Sequence, residues 1–180
     1  MWAFKERIMK HLLLFLIPVC FSIPVIAQNE RFIIPWPETW KIGSQEKTPT
    51  MSMVELIPNN EKIDKWTIIG TTTILKDKEN TPIELAMNIT FNEEKKNAIN
   101  PTLTFIDKKE DGKNPWILFK IEAGGFKNDK TPESQLYYVI ESETALYSNF
   151  VAIKEASLSK EFTNHWTGIF KSGQFIKQSN

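Results

Sequence analysis

The sequence predicts an α+β fold, an antiparallel sheet of about six strands packed against two main helices. Three observations carry this. Short apolar runs parted by turn residues fill residues 102–155, the pattern of consecutive hairpins. Behind Ser159, the residues Phe162, Trp166, Ile169 and Phe170 recur at helical spacing, a stripe of the width a helix buries against a sheet. Thr81-Pro82-Ile83-Glu84 has the form of a helix start: a capping Thr, a Pro suited to the first helical position, and a Glu placed for a capping box.

Taken in order, residues 28–37 form an irregular, Pro-punctuated leader, and 39–43 a short first strand. Residues 45–50 (QEKTPT) are polar and read as a loop. Residues 51–57 and 66–75 are rich in apolar and β-branched types and read as strands. Gly70 inside the second implies a bulge or bend. Residues 83–91 fit two periods, because Ile83, Leu85, Met87, Ile89 and Phe91 also alternate strictly. The start signal and the run Glu93-Glu94-Lys95-Lys96 favour a helix over 81–97, stopped by Asn100-Pro101. Strands follow at 102–107, 116–123, 135–141 and 145–155. Asp111-Gly112 turns the first pair, and Glu143-Thr144 the last. A helix over 159–171 ends at Gly173, and 174–177 can add an edge strand.

Residues 1–27 read as a secretory signal peptide. Lys5, Arg7 and Lys10 precede an apolar run, and the stretch ends in Val25-Ile26-Ala27. Pro18 and Pro24 interrupt it, and it falls short of the ~20 apolar residues of a membrane span. The expected product is periplasmic or secreted, a single globular domain over 28–180 with no stable membrane span after cleavage. Its one cysteine, Cys20, leaves with the signal, so no disulfide frames the core. Cleavage removes three of 22 basic and one of 22 acidic residues, leaving a formal charge of −2. That balance is not the footprint of a nucleic-acid binder.

Catalytic patterns are absent. The one histidine beyond the signal, His165, lies on the last helix with no nucleophile elbow in the sequence. One His and no Cys give no ordinary zinc set, and no cofactor motif appears. Asp107 to Gly112 lacks calcium-loop spacing. Asn88-Ile89-Thr90 matches a glycosylation acceptor, but in a helix. The carboxylates, Glu133 and Glu141 among them, read as solvated charge. The aromatics are less ordinary. Trp116 alternates away from Ile117 and Phe119, so it faces the other side of the sheet. Tyr137 and Tyr138 point to opposite faces, which leaves one of them the more exposed. Trp116, Tyr137 and Tyr138 are therefore the candidate ligand- or partner-binding residues.

Two stretches carry a resemblance. One runs from Glu55-Leu56-Ile57-Pro58 to Trp66-Thr67. The other is Pro132 to Ile140, then Ala145-Leu146-Tyr147, Phe150 to Lys154, Trp166 and Phe170. Together they resemble small secreted bacterial proteins whose layout is the Mog1/PsbP-like α/β sandwich. The resemblance spans most of 38–177 and implies a non-enzymatic binding or assembly module, with an envelope protein or small ligand as partner. It brings no catalytic residue. The rival expectations are a carboxylate-based hydrolase of envelope sugars, which needs two facing acids, and a carrier with a closed apolar cavity.

Overall fold

The computed structural model of the chain describes residues 30–78 and 81–177. The signal-peptide expectation lies outside them. Among the described residues the chain forms nine strands and two α-helices: β1 (Glu30–Ile33), β2 (Trp40–Lys47), β3 (Met51–Pro58), β4 (Ile68–Lys76), α1 (Ile83–Glu94), β5 (Thr102–Lys109), β6 (Trp116–Ala123), β7 (Glu133–Glu141), β8 (Ala145–Ile153), α2 (Lys160–Lys171) and β9 (Gln174–Lys177). Seven strands make one antiparallel sheet in the order β2-β3-β4-β8-β7-β6-β5. Two meanders, β2–β4 and β5–β8, therefore meet at the β4–β8 seam. There nine residue pairs align from Ile68↔Ile153 to Lys76↔Ala145. The outer strands β1 and β9 form a separate antiparallel ribbon.

Alternation sorts side chains to two faces. Leu118, Leu136, Tyr138, Tyr147 and Val151 meet Trp166 and Phe170 of α2 and Phe32 of β1. Ile117, Phe119, Tyr137 and Val139 meet Ile83 and Ala86 of α1 on the other side. The result is three layers: α2 with the ribbon, the sheet, and α1. The Ser159 hydroxyl caps α2 by accepting from Phe162 N at 3.1 Å, and Trp166 and Phe170 are its buried residues, as the stripe predicts. Both edge strands carry a bulge, at Ile42/Ser44 in β2 and at Phe105/Asp107 in β5. Such bulges discourage edge-to-edge pairing with another chain.

Five expectations change. The main sheet has seven strands, not six. β2 continues to Lys47 through the polar residues assigned to a loop, because a solvent-facing edge strand has little apolar alternation to show. The leader contains β1. Gly70 marks no bulge: the register runs Leu56↔Gly70↔Val151 without a shift. Its role is close approach, since a Cβ there would lie 2.4 Å from Cζ3 of Trp36. At α1 the helix is right but the capping box does not form. Pro82 is the N-cap with no side-chain cap bond, its carbonyl accepts from Leu85 N and Ala86 N, and Glu84 pairs with Lys108 of β5 instead. That ion pair, led by the hydrogen bond from Lys108, holds the Glu84 carboxyl down at about 2.

Candidate functional site

α2 packs chiefly over the β5–β8 half of the sheet, against β7. On the same face, neither helix packs closely on β3 or β4 among the described residues; α2 reaches this half where Trp166 meets Trp40 of β2 at 5.4 Å. Pleating directs Leu56 and Val54 of β3, and Thr72 and Ile74 of β4, to that face. Beside them β1 rises as a wall, with Trp36 at its end standing on Gly70. Floor and wall enclose a groove of about 610 Å³, open along one side. That is within the ~300–1,000 Å³ usual for ligand sites.

The groove is polarised along the strands. Its closed end is apolar and aromatic. Trp36 stacks on Trp40 at 5.9 Å and 20° and contacts Trp166 at 5.6 Å and Phe170 at 6.0 Å. The middle is Leu56, Val54 and Ile74, with Ile42 of β2 59% exposed at the rim. The far end gathers Arg31, Lys47 and Lys76, with Glu46 as the acid among the lining residues. Among the described residues none of these three cations has a salt-bridge partner. The floor offers few hydrogen bonds. β3 and β4 are paired on both edges, and the Thr72 hydroxyl already donates to Oδ1 of the buried Asn149 at 2.9 Å.

The residues singled out from sequence lie elsewhere. Tyr137 and Tyr138 do face opposite sides of the sheet, but neither is exposed, at 4% and 3%. Helices or ribbon cover both faces of β7, so neither phenol is the exposed one that the alternation predicted. Burial pushes both phenols up, Tyr137 further through the nearby Glu94 and Glu133 charges. Trp116 does lie on the α2 side. It is half-buried, with its ring 5.5 Å from Tyr138 and under the Lys171 ammonium at 4.5 Å. His165 is exposed on α2, edge-on to Trp166.

One carboxylate pair does come together, on the α1 side. Burial first, then the charge of Glu133, raises Glu94 at the end of α1. Glu133 itself accepts from Lys154 Nζ and from Gln135 Nε2, each at 2.8 Å, and Tyr137 donates to Gln135 at 2.7 Å. Both Glu133 oxygens are thus committed to structural bonds. Among the described residues no group of His, Cys, Asp and Glu is arranged to hold a metal ion, and no helix is long and apolar enough to cross a membrane. No protein-family model matches the chain, and no curated protein matches it.

Proposed function

We propose that the protein is an exported, non-enzymatic binding module that holds an apolar ligand in the groove between β1 and strands β2–β4. The observation that carries this is the row Val54, Leu56 and Ile74, uncovered by any helix and walled by Trp36. Apolar side chains gathered in a concave surface of this size are the usual lining of a ligand site. The groove is open, so the module docks its ligand and does not enclose it. The Mog1/PsbP-like sandwich remains the proposed fold family, supported by an antiparallel sheet with helices on both faces. Export and a periplasmic or secreted location rest on residues 1–27. The hydrolase reading has less support, because Glu133 is tied to Lys154.

The test is a neutral solvatochromic dye such as Nile red, with the protein purified from the periplasm of an expressing host. Saturable, blue-shifted binding is expected, weakened about tenfold, or ~1.4 kcal/mol, by Ile42→Glu with Val54→Glu. Dye binding that both substitutions leave unchanged would place the apolar site elsewhere and end this reading. Native mass spectrometry of the same preparation reports any ligand that co-purifies.

A further inference from the structure

We infer that the ligand is an anionic amphiphile, a single alkyl chain carrying a carboxylate or phosphate head; this rests on the groove reading above. Two features of the groove argue for it together. The first is the segregation of chemistry along its length. From Gly70 to Lys76, roughly 20 Å of strand at ~3.4 Å per residue, the floor passes from Trp36 through Leu56, Val54 and Ile74 to Lys47 and Lys76. Arg31 of the wall joins the cationic end, where Ser52 and Gln45 add polar side chains. A molecule apolar along most of its length and charged at one tip matches that sequence.

The second feature is what the floor lacks. An extended peptide lying there would have to satisfy an N–H and a C=O at every residue. β3 and β4 below are paired on both edges, and Thr72 has given its proton to Asn149; among the described residues the strand edges left at the groove are those of β1, paired with β9 alone, and of β2 at the rim. Burying unpaired peptide groups costs about 1–3 kcal/mol each on mutational scales. An alkyl chain has no such groups to satisfy. The sign of the head follows from charge: three cations against Glu46, and none of the three neutralised by a salt bridge among the described residues. A cationic head would meet repulsion. Carboxylate and phosphate share the chemistry, and the titration below separates them.

The experiment titrates the purified protein with dodecanoate, dodecyl phosphate, dodecanol and dodecyltrimethylammonium below their micellar concentrations. Heat and Trp fluorescence are the readouts, since Trp36 is in the wall. One-to-one binding of an anionic probe is expected, at least tenfold tighter than dodecanol and tighter still than the cation. The stronger of the two anions identifies the head. Lys47→Glu with Lys76→Glu, both at exposed positions, should remove the preference without loss of the native circular dichroism. Adding salt should weaken the anions and not dodecanol. Equal binding of all four probes would overturn the anionic head and leave an apolar groove. No binding of any probe would overturn both. A preference that survives the double charge reversal would also overturn the assignment of the cationic end.

Discussion

Replacing Gly70 by Ala should destabilise the protein, although Ala is ordinarily the better strand residue. The new Cβ would lie 2.4, 2.7 and 2.9 Å from Cζ3, Cη2 and Cε3 of Trp36, where carbon contacts settle at about 3.5–4.0 Å. The indole must retreat by about 1 Å. Trp40, Trp166 and Phe170 hold it at ring distances of 5.6–6.0 Å, so it can give way only toward the groove and at the expense of those contacts. Overpacking of this kind costs about 1–3 kcal/mol, against a gain of about 0.5–1 kcal/mol from losing the glycine. A net loss of roughly 1–2 kcal/mol remains, or about 2–8 °C in Tm for a chain of this size. Thermal and urea unfolding, followed by circular dichroism and Trp fluorescence, would measure it. Gly168→Ala is the internal control. It is the same change in α2, where a Cβ meets nothing within 4 Å, and it should stabilise by up to ~1 kcal/mol. If Gly70→Ala matched Gly168→Ala in sign, the account of Trp36 as the reason for Gly70 would be wrong.

Three further outcomes are expected. Ser159→Ala removes the cap of α2 and should cost about 1 kcal/mol in urea unfolding, while Ser159→Asp should not. Asn149→Ala, at a fully buried position, takes the partner from the half-buried Thr72 hydroxyl and from the Tyr138 carbonyl, which the amide bonds at 3.2 Å. A loss of about 1–3 kcal/mol should follow, and a loss below 0.5 kcal/mol would mean that neither bond matters to stability. Glu94 should act in the opposite sense. Burial and Glu133 raise its carboxyl above the usual value, so the folded protein holds this proton at a pH where the unfolded chain has released it. Its charge therefore costs stability above the raised value, and the cost fades as pH falls through it to the ordinary carboxylate range. Glu94→Gln should melt higher than the parent at neutral pH, the two converging in acid; a lower Tm at neutral pH would contradict the sign.

The sequence made the helices and central strands legible because burial there is one-sided or complete. The α2 stripe is a period that solvent on one face imposes, and β6 to β8 carry apolar residues at successive positions, as in Ile117-Leu118-Phe119 and Leu136 to Ile140, because layers cover both sides. The ambiguity at α1 had a physical cause too. Leu85 and Ile89 are about half exposed on its outer face, so the helix shows apolar residues all round and no clean stripe. The groove was not legible. Its lining comes from a leader, an edge strand written in polar residues and the uncovered face of two strands, and only their spatial coincidence makes a site. Trp116, Tyr137 and Tyr138 were chosen for their type, and type does not report which face a ribbon or helix will cover. Gly70 was a usable signal: a glycine inside a β-branched strand, a few tens of residues after a Pro-flanked tryptophan, hints that the ring rests on it.

The ribbon pairs Glu30 with Lys177, so its formation sets an order of events along the chain. Bringing together segments nearly 150 residues apart directly would cost roughly 4 kcal/mol of chain-closure entropy, by the logarithmic law, against four residue pairs. The hairpins within each meander have no such burden, and the β4–β8 seam closes a shorter loop, from Lys76 to Ala145; docking of α2 can then deliver the tail to β1. The wall of the groove is thus the last part to close. A chain in which β9 has not yet docked on β1 would have its sheet but not the wall of its groove. By the same logic, trimming a few residues at the tail would abolish binding and leave the sheet standing.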